Sequence, residues 1–301
     1  MNRFIRLRLL AMLLCLPFLL IFISGCGSSS QKKDEPPVYS PLQVLVPEAT
    51  GKETLGSSPM ILDVSNISQG YFIAQSDSSD LTCSLQIISP SGVLYSYFIA
   101  PGESATVTFT EGSGDYTITG YQQVQGDQYA ALYSETVTVQ LENDFLPFLY
   151  PNQYVNFTPD SKASQLALSL IDEDTVDVDA LQQIYDYVVS NLTYDYEKAD
   201  TVTTGYLPDV DETLKTGTGI CFDYAALTTA MLRSCDIPCK LQIGYAGDIK
   251  HAWIDVYIRS KGWVNQAVSF KGDTWTLMDP TFDSNSDDKE AIQDYIGDES
   301  N

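Results

Sequence analysis

The sequence predicts an α+β domain preceded by an all-β, sandwich-like domain. Three observations predict it. Residues 59–143 read as short segments rich in Val, Ile, Thr and Tyr, cut by turn signals. From about residue 144 the apolar period lengthens to that of amphipathic helices. After Ile237-Pro238 strand patterns return, so helices come first and a sheet, read as antiparallel, follows.

The chain opens with Arg3, Arg6 and Arg8, an apolar run from Leu9 to Ile23, and small residues leading to Cys26. That order describes a secretory signal peptide over 1–25. The run falls short of the ~20 residues a spanning helix needs, which argues against an uncleaved anchor. Ile23-Ser24-Gly25-Cys26 resembles the bacterial lipobox, whose cysteine is lipidated and becomes the new N-terminus. The resemblance implies lipidation at Cys26 and an extracytoplasmic protein anchored to the cell membrane. Residues 26–58, rich in Ser, Lys, Pro, Gly and Glu without an apolar period, read as a lipidated flexible linker.

The chain carries 16 basic and 40 acidic residues, a net charge of −24. Loss of residues 1–25 removes three basic and no acidic residues, leaving 13 against 40, or −27. Nucleic-acid binding runs on phosphate neutralisation, so this balance excludes it. Electrostatic attachment to anionic lipid is disfavoured too, which leaves an acyl group as the anchor. Six cysteines are too few for a disulfide-stapled secreted domain. The 301 residues less these 25 leave 276, enough for two domains.

Within 59–143, MILDVS, YFIAQ, LTCSLQIIS, VLYSYFIA, ATVTFT, YTITGYQQ and ETVTVQL read as strands. Turns fall at 89–92, 101–102, 112–114 and 126–127. Such spacing argues an antiparallel sandwich. The segment holds no His and no carboxylate cluster with ligand spacing. It reads as a spacer presenting the next domain, the other reading being a carbohydrate- or wall-binding module. Cys83 reads as a small buried hydrophobe.

In the second domain, 144–301, Leu181, Ile184, Val188 and Leu192 share one face of a helix over 180–192, with Asp177 or Asp179 as cap. Cys221 opens a second helix. Tyr224, Leu227 or Thr228, Met231 and Cys235 form its apolar face, and Ile237-Pro238 stops it. Strands are expected over 240–246, 251–258, 262–268 and 275–278.

A thiol at a helix start meets N–H groups without internal partners and a partial positive charge, which favour the thiolate. The same N–H groups can hold an oxyanion, and Gly217 and Gly219 permit a tight turn and close approach of a substrate backbone. Gly219 and Cys221 are therefore the candidate turn and oxyanion positions. Asp223 in the first turn complements the dipole but opposes a nearby thiolate. A cysteine nucleophile wants a base, and the chain has one histidine, His251. His251, Trp253 and Asp255 share a strand face, opposite Ala252, Ile254 and Val256. An orienting carboxylate or amide is the third part of such a site. Asp279, at a strand end before Pro280, is a candidate for it.

Gly219-Ile220-Cys221-Phe222-Asp223-Tyr224-Ala225, Met231-Leu232-Arg233, Ile237-Pro238, Gly244-Tyr245, His251-Ala252-Trp253 and Met278-Asp279-Pro280-Thr281 together resemble the transglutaminase-like superfamily. Its bacterial members share a papain-like core. The resemblance covers about 140–285 and implies that fold there. It also implies Cys221 as nucleophile, His251 as general base and acid, and Asp279 as the residue orienting His251. The implied chemistry is acyl transfer from a protein or peptide amide through a thioester. Water resolving the thioester makes a protease or amidase, and an amine makes a cross-linking enzyme. The other reading is a non-catalytic peptide- or cell-wall-binding lipoprotein on the same fold.

Cys235-Asp236-Ile237-Pro238-Cys239 supplies one knuckle where zinc sites pair two, and reads as buried residues flanking the helix stop. Asp283-Ser284-Asn285-Ser286-Asp287 mimics a calcium loop, but Asp288 replaces the glycine and Asp294 the final glutamate. No metal or cofactor is expected, with calcium there entertained as a stabilising ion because animal members of the superfamily use it. Tyr194, Tyr196 and Tyr206 precede the cysteine and read as cleft lining or as packing beneath it.

Overall fold

The computed structural model describes residues 33–203, 205–246, 249–271 and 274–277. They belong to one compact unit.

Eight strands fill its first half: β1 (Thr54–Ser57), β2 (Met60–Asp63), β3 (Tyr71–Ser76), β4 (Cys83–Ile88), β5 (Leu94–Ile99), β6 (Ser104–Thr108), β7 (Gly114–Gln125) and β8 (Gln128–Val139). They form two four-stranded antiparallel sheets, ordered β1-β2-β3-β6 and β5-β4-β7-β8. The period-two alternation packs them face to face. Met60, Leu62, Phe72 and Ala74 of the first sheet meet Leu85, Ile87 and Ile118 of the second in one core. Cys83 is wholly buried in that core, as its strand context predicts. β1 begins at residue 54, ahead of the expected start at 59.

The expected flexible linker over 26–58 is corrected in its described part. Pro36 and Pro37 are buried. Val44 enters the core of the helical half, and Leu45 packs with Tyr71, Leu146 and Leu149. The Tyr39 N–H donates to Asp236 Oδ2 at 3.1 Å, and the Glu48 N–H donates to the Tyr71 hydroxyl at 2.9 Å. Irregular chain can be buried when its polar groups find partners, and this strap has no apolar period by which the sequence would announce it.

The second half begins with α1 (Lys162–Leu170), α2 (Asp177–Asn191), β9 (Thr193–Tyr194), α3 (Tyr196–Thr201), α4 (Val210–Thr216), β10 (Thr218–Gly219) and α5 (Cys221–Ser234). Then come β11 (Cys239–Ala246), β12 (Ile249–Ile258), β13 (Gly262–Lys271) and β14 (Thr274–Leu277), antiparallel in that order as expected. In α2, Asp177 and Asp179 sit in the first turn instead of capping it. The Asp177 carboxylate accepts the Arg259 N–H at 2.7 Å and also bonds its guanidinium. α5 departs from the one-sided helix expected: Asp223 through Ser234 are all buried. α1, α2 and α4 pack against it together with β11, β12 and β13, so no side of its body is left to water. Ala252, Ile254 and Val256 contribute to that core, as the strand alternation predicts.

Arg233 joins three parts of the chain. Wholly within the fold, it donates from Nη1 to Tyr150 O at 2.7 Å and from Nε and Nη2 to Cys239 O at 3.1 and 2.8 Å. Three carbonyl contacts replace the water its guanidinium loses.

Candidate active site around Cys221

Cys221 is the first residue of α5 and is 7% exposed. What sets it there is a chain of short polar contacts. α4 is capped by Asp209, which accepts the N–H groups of Asp211 and Glu212 at 3.0 and 2.9 Å. It ends on Gly217 in the left-handed conformation, φ 62°, which reverses the chain into β10. β10 pairs in parallel with β9, and the Asp195 N–H then donates to Gly219 O at 2.9 Å. Asp195 in turn caps α3 by accepting the Lys198 N–H at 2.8 Å. So α3 is tied to the residue two before the cysteine.

This linkage delivers Lys198 to Asp223. The Asp223 side chain is fully buried, and Lys198 Nζ lies 2.7 Å from its Oδ2. The Tyr206 hydroxyl donates to its Oδ1, and the Ile220 N–H donates to Oδ2 at 2.8 Å. Lys198 also stands 4.4 Å from the centre of the Tyr206 ring. Asp223 thus makes half a capping box, since Ile220 has no acceptor to return. Burial and then the hydrogen bond to Asp223 push the Tyr206 hydroxyl up to about 12. Burial lowers the Lys198 ammonium, but its hydrogen bonds to Asp223 and Tyr206 outweigh that and raise it. The charge two residues from Cys221 is therefore answered by a cation, which removes the objection to a thiolate that Asp223 raises in the sequence. Tyr206 is one of the three tyrosines singled out in the sequence, whereas Lys198 does not stand out there. The available signal is that Lys198 is one of only 16 basic residues and lies in a tyrosine-rich, acidic stretch.

Gly219 packs tightly on Asp223. A Cβ there would lie 2.7 Å from the Asp223 Cβ. The space a side chain would need is occupied by this chain's own carboxylate, so glycine lets the loop close over Asp223. Tyr206 belongs to the network beneath the helix start, and Tyr194 and Tyr196 stack edge-on at 5.0 Å.

His251 lies in β12 with its Cα opposite that of Gly244 in β11. β11 and β12 both pack against α5, the helix that Cys221 opens. The Trp253 ring covers Gly244, where a Cβ would meet it at 3.1 Å. Asp255, on the same strand, is held by Gln242 Nε2 at 2.9 Å and by the Gln266 N–H at 2.8 Å, which fixes it in the sheet. The His251 side chain, Asp279, Asp283–Asp287 and Cys26 lie outside the described residues.

Cys235 and Cys239 are both buried. Burial raises each thiol to about 12, so both are inert packing groups under ordinary conditions.

No curated protein matches the chain. A solved structure of a candidate cysteine protease from Cytophaga hutchinsonii aligns with a TM-score of 0.35 at 17% identity, over 73% of this chain and 79% of that one. A candidate protease from Parabacteroides distasonis aligns with a TM-score of 0.30 at 14% identity, over 66% of this chain and 42% of that one. The chain therefore spans less than half of that second protein. Residues 164–280 match the family model of the transglutaminase-like superfamily core. That match runs from α1 through β14 and spans Cys221, His251 and Asp279, so this part of the chain is similar to the transglutaminase-like superfamily core.

Proposed function

We propose that the protein is a cysteine acyl-transfer enzyme acting on protein or peptide amides. Cys221 attacks the amide carbonyl, and the N–H groups of the first turn of α5 receive the oxyanion. His251 takes the thiol proton and passes it to the departing amine, with Asp279 orienting the imidazole. The carbonyl–nitrogen bond breaks as the carbon–sulfur bond forms. The resulting thioester passes to water or to a second amine. One observation carries the reading: a thiol at the start of a buried helix, beside an acidic residue whose charge Lys198 answers, inside the superfamily match. Cys26 supplies a lipid anchor that holds the enzyme outside the cell membrane. No metal enters the reaction, and a stabilising calcium ion at Asp283–Asp287 is testable by melting with and without chelator.

The test is a panel of glutamine- and asparagine-containing peptides, incubated with the full chain, with and without a primary amine. Mass spectrometry reads cleavage, loss of ammonia or amine incorporation. The wild type should produce one of these and Cys221→Ala none. Equal product from both, or none from either while the peptides bind, would replace the enzyme by the non-catalytic binding protein.

A further inference from the structure

The free edge of β11 borders a cleft that the chemistry above does not use. β11 is the outer strand of its sheet. The Tyr257 N–H donates to Pro238 O at 2.9 Å, which marks residues 238 and 257 as a hydrogen-bonded pair. In an antiparallel ladder such pairs alternate with pairs whose backbone groups point outward. Along β11 the outward residues are therefore Cys239, Leu241 and Ile243. Cys239 confirms the phase, because its carbonyl accepts Arg233 on the open side. Among the described residues no backbone hydrogen bond engages the outward N–H and C=O groups of Leu241 and Ile243.

Those groups face a cleft of about 410 Å³. It is lined by Tyr95 and Tyr97 of the sandwich, by Tyr154 beyond the sandwich strands, and by Ile243, which is 47% exposed. The sandwich edge on that side is closed: Gln153 Nε2 donates to Phe98 O at 2.6 Å and the Tyr154 hydroxyl to Ser96 O at 2.9 Å. One strand edge is capped and the facing one is left open. An exposed edge is ordinarily blunted, because it recruits extended chain.

We infer that an extended segment of the substrate polypeptide, carrying lysine or arginine beside apolar residues, adds to β11 as a fifth strand by pairing with Leu241 and Ile243. Three observations select this occupant. The two open backbone positions are spaced by two residues, as strand addition needs. The tyrosine wall and Ile243 offer apolar contact to alternate side chains of such a strand. The chain's charge of −24 attracts basic segments, and in the cleft lining Glu111 can meet one, since Arg233 is engaged by the carbonyls of Tyr150 and Cys239 and Lys240 lies over the Trp263 ring. The edge also leads to the proposed site, because the residue after Ile243 is Gly244, whose Cα stands opposite that of His251. The inference rests on the proposed enzyme for its role as substrate positioning, but the binding itself does not require chemistry.

Binding is therefore measured on the full-length Cys221→Ala protein with a capped octapeptide alternating lysine and leucine. Its single N-methyl variants and a glutamate–leucine counterpart are run beside it. The predicted result is saturable binding of the lysine peptide, at least tenfold weaker binding of the glutamate peptide, and losses of about tenfold on N-methylation at every second residue. Ile243→Pro removes an outward N–H without touching the ladder and should weaken binding by a similar factor. No binding of the lysine peptide, equal binding of both peptides, or N-methyl effects without a period of two would each overturn the inference. Inert Cys221 with intact binding would remove the enzyme and keep the groove, and reactive Cys221 without binding the reverse.

Discussion

Lys198 and Asp236 show how single buried charges shape this protein. Lys198 answers Asp223 beneath the helix start. Lys198→Met would leave a buried carboxylate with two hydrogen bonds and no cation. Stability should fall by about 2 kcal/mol, less than for a fully enclosed pair because the Lys198 side chain keeps 30% of its exposure. The more specific outcome is electrostatic: the pH at which Cys221 alkylates should rise, and Lys198→Arg should largely restore it. An unchanged alkylation profile would reduce the pair to a structural tie. Asp236 is 2% exposed and adopts φ 58°. Burial pushes its carboxyl up to about 7, against the Tyr39 N–H and the Arg259 charge. Its folded value lies above its unfolded one, so the stability it contributes is complete below pH ~4 and is lost as pH rises to about 7. Asp236→Asn, which tolerates the left-handed backbone, should remove that slope. Urea unfolding at pH 4 and pH 8 should show the variant gaining about 2–4 kcal/mol on the wild type across the interval. Parallel pH dependences in the two proteins would contradict this assignment.

At the scale of elements, the α5–β11–β12 unit was readable because its signals are periodic. Cys221 after two glycines, Ile237-Pro238 as a stop and the alternation at Ala252, Ile254 and Val256 each survive in the structure. The roles within it were less readable. A hydrogen bond between α3 and α5 leaves no period, so neither the Lys198 contact with Asp223 nor the packing of Gly219 on that carboxylate is legible in the sequence. α3 and α4, at six and seven residues, are too short to show an apolar stripe. The two glycines give a graded test. Gly219→Ala places a Cβ 2.7 Å from Asp223 and should displace the helix start, losing about 2–3 kcal/mol and most alkylation at Cys221. Gly217→Ala strains a φ of 62° and should cost about 1 kcal/mol, with its Cβ 3.1 Å from Asn191 O. Melting and alkylation of both variants check the order.

Over the whole molecule, the strap of residues 36–48 is what composition conceals. Its prolines, serines and glutamates look like tether, yet Val44 and Leu45 reach two different clusters. Removing it deletes both side chains and uncovers the clusters they pack on, each side chain contributing about 1.5–3 kcal/mol of burial. A chain starting at residue 49 should therefore melt well below one starting at residue 33, and equal melting temperatures would restore the tether.

The most direct test of the central claim is the pH dependence of iodoacetamide labelling, read cysteine by cysteine in the full chain by mass spectrometry. The account predicts that Cys221 labels fast well below the ordinary thiol value of about 8.5, that His251→Ala abolishes this, and that buried Cys235 and Cys239 stay unlabelled. Labelling of Cys221 no faster than that of a free thiol, or labelling indifferent to His251, would contradict it.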